Sequence, residues 1–224
     1  MNSLQPKLRF DETYCETMEI EGGQEVVLRL VRPSDKGLLL EGLGRLSPQS
    51  RRFRFMGARN SFTQEELDYL CDVDGLDHFA MGAVVKGEDG SEEGVAIARF
   101  VRSKDRPEAA EPAVTIIDDY QSKGLGKILL KRLVAAARER GIRVFHSEFL
   151  RSNFKVAQLL DDYAESSVIL EEGDVVTVEF PLPKPRLGER LSDALHKSEI
   201  YRAFVDIARG ALPVRFGRSV NAPK

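Results

Sequence analysis

The sequence is poor in the residues that build disulfide or metal sites. It has no tryptophan and only two cysteines, Cys15 and Cys71, which are too few for a disulfide framework and lack the spacing of zinc ligands. The three histidines, His78, His146 and His196, lie far apart in the chain. We therefore expect no bound metal. Cys71 lies on the apolar face of a predicted helix, which indicates a core residue rather than a nucleophile.

Long apolar runs and an excess of one charge are also missing. No stretch approaches the roughly 18 apolar residues of a membrane span, and residues 1–25 contain no apolar segment typical of a secretion signal. With 33 basic and 36 acidic residues the formal net charge is only −3, whereas nucleic-acid-binding proteins usually carry a basic excess. These absences predict a cytoplasmic protein that binds neither nucleic acid nor a membrane.

The residues that are present indicate a globular protein with mixed elements. Hydrophobic residues make up 42% of the 224, enough for a packed core. Strands are predicted at residues 26–31, 79–85, 94–101, 113–117, 144–150, 168–170 and 175–180, and helices start near Pro33, Ser47, Thr63, Leu125 and Asn153. This order predicts an α+β (mixed α/β) fold, with an antiparallel meander formed by the runs at 79–117.

The same pattern divides the chain into three parts. We expect one domain at residues 25–180, preceded by a loosely ordered lead-in at 1–24. Residues 181–224 are expected to form a Pro-rich linker, a helix that packs on the domain or contacts a second copy, and a basic tail.

The glycine-rich segment between the strand ending at Ile117 and the helix after Gly124 is the most informative motif. A strand-to-helix turn with two glycines, Gly124 and Gly126, directs successive N–H groups and the positive end of the helix at one point, which suits a phosphate or pyrophosphate. The segment is neither a Walker A loop nor a dinucleotide fingerprint. An ordinary turn between strand and helix is the alternative.

The context of this turn favours a ligand site. Gln121-x-x-Gly124-x-Gly126, after an apolar strand and before an amphipathic helix, resembles the acetyl-CoA-binding motif of the GNAT N-acetyltransferases. The resemblance extends over residues 26–180 and implies a mostly antiparallel twisted sheet with two splayed strands, flanked by helices. The segments at 46–55 and 62–74 look more narrowly like the bacterial Pat-type protein-lysine acetyltransferases.

The resemblance implies a set of residues that bind acetyl-CoA. The pantetheine arm would pair with the backbone of the strand, the pyrophosphate would lie on the amides of the turn with Gln121 shaping it, and the next helix would begin with a contact to the arm. These residues are Ile116, Ile117, Gln121, Ser122, Lys123, Gly124, Leu125, Gly126, Lys127 and Asn153. A plain N-cap is the alternative for Asn153.

The resemblance also supplies a candidate general base. Glu111 lies ten residues before Gln121, where Pat-type enzymes carry a glutamate. A protonated lysine is not a nucleophile, so transfer from a thioester needs a base, directly or through a water. A solvated loop glutamate is the alternative. Pro112 requires an edge or bulge in the strand, and Leu160 replaces a tyrosine that serves many small-molecule relatives as general acid.

Three functions follow from this resemblance. The first is acetylation of a lysine on a protein partner, possibly an acyl-CoA synthetase; the second is acetylation of a small amine; the third is a non-catalytic acyl-CoA-binding module. Arg51, Arg52 and Arg54 could bind the cofactor's 3′-phosphate or an acidic partner, although a solvated helix face is the simpler interpretation. His78 is interpreted as a surface residue. A monomer or a homodimer is expected.

Overall fold

One sheet of eight strands organises the part of the chain that the computed structural model describes, residues 8–55, 59–150, 168–172 and 175–182. The strands are β1 (Cys15–Glu19), β2 (Glu25–Leu30), β3 (His78–Lys86), β4 (Glu92–Arg102), β5 (Ala109–Ile116), β6 (Val144–Leu150), β7 (Val168–Glu172) and β8 (Val175–Pro181). Their order across the sheet is β1-β2-β3-β4-β5-β6-β8-β7. Only the β5–β6 pair is parallel among these strands. The predicted fold class and the meander β3-β4-β5 are confirmed.

The strands β5 and β6 separate soon after they meet. They pair only at Ala109 with Val144 and at Ala110 with Phe145, although β5 continues to Ile116 and β6 to Leu150. The resulting gap is the splay that the resemblance implies. Pro112 lies two residues beyond Ala110, the last residue of β5 that pairs with β6. The N–H that proline lacks is therefore not needed for pairing with β6. A β-bulge was one alternative expected at Pro112, but the register shift in the meander lies between β3 and β4, at Ala83 and Val84.

Four α-helices lie in the described part of the chain: α1 (Lys36–Gly44), α2 (Pro48–Phe55), α3 (Gln64–Cys71) and α4 (Leu125–Glu139). Two short 3₁₀ helices, Pro33–Asp35 and Asp118–Tyr120, precede α1 and the glycine turn. The N-cap expected at Thr63 is confirmed, because its hydroxyl accepts from the Glu66 N–H and the Glu66 carboxylate accepts from the Thr63 N–H. Gly141, with φ of +78°, directly follows the C-cap of α4, a position that favours glycine.

The two faces of the sheet carry different helices. The face under α4 holds the main core, and its fully buried side chains include Phe79, Met81, Phe100, Val114, Phe145, Leu129, Leu133 and Val134. Residues paired across antiparallel strands share a face, so the alternate positions of β3, β4 and β5 face α1–α3. That second face carries His78 on β3, Arg99 on β4, and Glu111, Ala113 and Thr115 on β5.

The N-terminal segment differs from the expectation of a loose lead-in. Residues 15–19 form β1, which pairs along its whole length with β2, and Phe10 and Ile20 lie in the main core. Glu16 also accepts hydrogen bonds from Arg132 on α4. The alternation is hard to detect in the sequence because β1 is an edge strand whose residues are all at least partly exposed. The predicted helix at 153–163 and residues 183–224 lie outside the described residues.

Candidate active site

The turn between β5 and α4 has the backbone geometry of an anion-binding loop. Ser122 has φ of +61° and Gly124 has φ of +79°, so two left-handed residues lie within three positions. The N–H groups of Ser122 to Gly126 have no acceptor among the described residues, whereas Lys127 N–H donates to Gly124 C=O. Unsatisfied N–H groups at the start of a 15-residue helix favour a bound anion.

The two glycines of the motif have different structural roles. Gly124 is required by its positive φ; a Cβ there would meet only the Glu21 carboxylate, at 3.5 Å. Gly126 is buried, and a Cβ there would lie 3.1 Å from Ile116 Cδ1. Gly126 therefore allows α4 to pack closely on β5.

Only one of the two isoleucines expected to pair with a pantetheine arm has backbone groups on the open side of β5. Both backbone groups of Ile117 are used within the protein, because its N–H donates to Val95 C=O at 3.1 Å and its C=O accepts from Tyr120 N–H. Successive residues of a strand direct their backbone groups to opposite sides, so Val114 and Ile116 face the β5–β6 gap. The geometry supports Ile116 but not Ile117, and it adds Val114.

A polar network joins this turn to α2. Gln121 Nε2 donates to Ile116 C=O at 3.1 Å and to Ser50 Oγ at 3.3 Å. The Asp118 carboxylate accepts from Ser47 N–H at 2.9 Å and from Ser50 Oγ at 3.0 Å. Burial alone would raise the pKa of Asp118, but these hydrogen bonds outweigh it and lower the pKa below its usual value. The glycine turn and the start of α2 are thus held in one arrangement.

Glu111 lies where β5 leaves β6. It directly follows Ala110, the last residue of β5 that pairs with β6, and its side chain is partly exposed on the α1–α3 face. Burial lowers the pKa of Arg54 well below its usual value and the Glu111 carboxylate opposes that shift, whereas burial raises the pKa of Tyr69 and the carboxylate adds to it. The sequence alone did not fix the direction of this side chain. The structure places it on the same face as Arg99 and Thr115.

The arginines of α2 do not form a single solvated face. Only Arg52 is exposed. Arg51 donates to the carbonyls of Leu46 and Gly44 and to Asn60, at 2.9 to 3.0 Å, and so fixes the end of α1. Arg54 is 3% exposed and its Nε donates to the Thr115 hydroxyl.

His78 is a half-buried residue at the start of β3, which corrects its interpretation as a surface residue. Arg99 Nη1 donates to His78 Nε2 at 3.1 Å, so the neutral ring accepts at that nitrogen. Burial lowers the pKa of His78 to about 4, and the charge of Arg99 lowers it further in the same direction. Cys71 is fully buried, which raises the pKa of its thiol to about 11, and it is a core residue as expected.

Sequence reasoning missed Asp118 and Arg99 as members of this region, and it grouped Arg54 with Arg51 and Arg52 rather than predicting its burial. Asp118 follows a predicted strand directly, a position that could have identified it as a turn residue. No local pattern distinguishes Arg54 from its exposed neighbour Arg52. Asn153 lies outside the described residues. Within those residues no helix is long and apolar enough to cross a membrane, and no group of three or more His, Cys, Asp or Glu side chains could hold a metal ion.

Comparisons with known proteins agree with the fold described above. Residues 50–161 match the Acetyltransferase (GNAT) family. Acetyltransferase Pat of Mycolicibacterium smegmatis is 31% identical over 186 residues, which cover 80% of this chain and 55% of that protein. Acetyltransferase PA5475 of Pseudomonas aeruginosa is 36% identical over 128 residues, 57% of this chain and 68% of that protein.

A solved structure supports the same relationship. The GNAT domain of S. lividans PAT superimposes with a TM-score of 0.63 at 25% identity, over 75% of this chain and 97% of that one. The chain spans only about half the length of the mycobacterial relative, 55% of it.

Proposed function

Because this chain belongs to the GNAT family of acetyltransferases, for which acetyl-CoA is the acyl donor, we propose that it acetylates a lysine side chain of a protein, with Glu111 as general base. The resemblance to Pat-type enzymes noted in the sequence supports the protein acceptor, and an acyl-CoA synthetase is the partner it suggests. The observation that carries the proposal is the position of Glu111 at the mouth of the β5–β6 gap.

The donor would bind along β5 and the glycine turn. Its pyrophosphate would accept from the free N–H groups of Ser122 to Gly126, and its pantetheine arm would enter the gap beside Val114 and Ile116. The thioester carbonyl would then lie near the start of the gap. This arrangement uses the N–H groups of the turn, which have no acceptor among the described residues, while the Ile116 C=O already accepts from Gln121 Nε2.

The acceptor would approach from the α1–α3 side, the face that carries Glu111. The carboxylate removes a proton from the lysine ammonium or from the amine as it attacks, directly or through one water. The amine nitrogen forms a bond to the thioester carbon, the C–S bond breaks, and the CoA thiolate leaves and takes up a proton. The products are an acetyl-lysine amide and free CoA.

Arg52 is the exposed cation of α2 and would contact an acidic partner surface near the acceptor lysine. Arg51 was expected to share this role, but its guanidinium is committed to carbonyls of the protein itself. The charge complementarity therefore depends on Arg52 alone among the α2 arginines.

A small amine is the second candidate acceptor. The observation that favours it is a cavity of about 90 Å³ between α1–α3 and the sheet, lined in part by Arg54, Arg99 and Thr115. A cavity of this size exceeds the space of one water and would accept a small group of an amine substrate, but not a folded protein surface.

Incubation with [¹⁴C]acetyl-CoA separates the two acceptors. The protein is offered a lysate and, separately, a panel of amines that includes free lysine and a polyamine, with Glu111→Gln as the matched inactive control. Labelled lysines on proteins, absent with Glu111→Gln, are expected. Efficient labelling of an amine without any labelled protein would contradict the protein-lysine assignment.

A further inference from the structure

Two buried arginines share one cavity on the α1–α3 side of the sheet. Arg54 is 3% exposed and Arg99 is 2% exposed, and both line the 90 Å³ space that we call the Arg54–Arg99 cavity. Most of its other lining residues are apolar, among them Leu38, Leu43 and Phe62. An apolar cavity larger than one water, with a few converging polar groups, is typical of a small-molecule site.

Both guanidinium groups have donors without acceptors. Arg54 Nη1 and Arg99 Nε are buried and make no hydrogen bond within the described ranges. The third arginine that lines the cavity, Arg29, is instead paired with Asp35 at 2.7 Å and with Glu92. An unpaired buried cation is costly, so this pair of arginines differs from an ordinary structural ion pair.

The two cations also repel each other. Burial lowers the pKa of Arg54 well below its usual value, and the charge of Arg99 lowers it further. The Glu111 carboxylate opposes this effect without hydrogen bonding to Arg54 Nη1. An additional anion in the cavity would therefore relieve both the repulsion and the unsatisfied donors.

We propose, on the basis of the acyl-transfer function proposed above, that the Arg54–Arg99 cavity binds a carboxylate group of a small-molecule substrate. A guanidinium offers planar paired donors that match a carboxylate, and the apolar lining would surround its aliphatic stem. The cavity lies on the sheet face that carries Glu111, and its lining residue Thr115 is four positions further along β5, so a carboxylate held there would be on the same side of the sheet as the proposed base. The carboxylate could belong to an amino-acid acceptor or to an acyl group that ends in a carboxylate.

Direct binding tests this inference without any turnover. Thermal unfolding is measured in sodium succinate and in sodium chloride of equal ionic strength, for the wild type, Arg54→Met and Arg140→Met. Arg140 is the matched control, because its side chain is only 2% exposed but donates to the carbonyls of Gly75, Ala136 and Phe10, away from the cavity.

Succinate should raise the melting temperature of the wild type and of Arg140→Met more than chloride does. For Arg54→Met, the two salts should have the same effect. Without succinate, Arg54→Met should be at least as stable as the wild type, whereas Arg140→Met should be less stable. Equal effects of succinate and chloride on the wild type, or a full succinate response in Arg54→Met, would overturn the proposal. Should Arg54→Met fold poorly, Arg54→Lys keeps the charge without the planar fork and should show a weakened response.

Two substrate pairs then identify the source of the carboxylate. Succinyl-CoA is compared with butyryl-CoA as donor, and L-lysine with cadaverine as acceptor, because each pair differs by one carboxylate. A preference of tenfold or more for the member that has the carboxylate shows that this pair supplies the carboxylate bound in the cavity. The preference should be lost in Arg54→Met, while its affinity for acetyl-CoA is retained. No preference in either pair would overturn the substrate role of the cavity. Absence of transfer from acetyl-CoA to any protein or amine, in the labelling experiment described above, would instead contradict the proposed function.

Discussion

Replacing Gly124 with valine tests whether the left-handed turn holds the acyl donor. A valine at φ of +79° is strained by about 1–3 kcal/mol, while its Cβ finds only the Glu21 carboxylate at 3.5 Å. For a protein of this size, 1 kcal/mol shifts the melting temperature by about 2–4 °C, so a fall of about 4–8 °C corresponds to 2 kcal/mol. The domain should remain folded.

The effect on binding should be larger than the effect on folding. Gly124→Val can relieve its strain only by rotating the peptide groups on either side, which turns N–H groups of the loop away from the pyrophosphate. Each hydrogen bond to a charged group contributes about 1.5–3 kcal/mol, so loss of one weakens acetyl-CoA binding by roughly tenfold to a hundredfold.

Gly141→Val is the matched control for this variant. Gly141 has φ of +78°, nothing lies within 4 Å of its Cβ position, and it follows the opposite end of α4. Both variants should lose similar stability by thermal unfolding, but only Gly124→Val should lose acetyl-CoA affinity by calorimetry. Wild-type affinity in Gly124→Val, at the same loss of stability as Gly141→Val, would refute the assignment of the turn to the pyrophosphate.

Three further predictions concern the surroundings of the site. The pKa of His78 is about 4 in the folded protein and 6.5 in the unfolded chain, so its contribution to stability is complete above pH 6.5 and is lost as the pH falls toward 4. In urea unfolding, His78→Gln should therefore remove up to about 2–3 kcal/mol of the loss of stability between pH 7 and 4.5. An unchanged pH profile would contradict a neutral, buried His78 ring. Asp118→Ala removes the link between the glycine turn and the start of α2, so the KM for acetyl-CoA should rise several-fold, while Asp119→Ala, at an exposed neighbour, should leave it unchanged. Arg52→Glu should lower kcat/KM for a protein acceptor at low salt and have little effect at 0.5 M salt, since exposed charges are screened there; an equal loss at both salt concentrations would exclude charge complementarity as its role.

The sequence predicted the elements well because their periodicity and end signals are local. The strand-to-helix turn at Gly124, the Thr63 cap and the meander β3-β4-β5 all depend on residues close together in the chain. Edge strand β1 was missed because its alternating positions are all at least partly exposed, so no apolar period marks it. The position of such an edge strand is determined by pairing with its neighbour, here β2, rather than by its own pattern of apolar residues.

The sequence predicted only the part of the candidate site that lies within a single motif. The turn from Gln121 to Gly126 was identified from the sequence, but its connection to Ser50 and Asp118 depends on the fold. Arg54 and Arg52 are two positions apart on one short helix, yet one is buried against β5 and the other is exposed. This difference arises from the way α2 lies on the sheet, which the arginine spacing does not reveal.

The most direct test of the account is the rate of acetyl transfer by Glu111→Gln across pH 6 to 9, measured together with its calorimetric affinity for acetyl-CoA. Glu108→Gln is the matched control, because Glu108 is an exposed glutamate just before β5. We expect Glu111→Gln to bind acetyl-CoA as the wild type does but to react about 10²-fold more slowly or worse, and Glu108→Gln to be unaffected. Full activity of Glu111→Gln over that pH range would contradict the central claim that Glu111 is the general base.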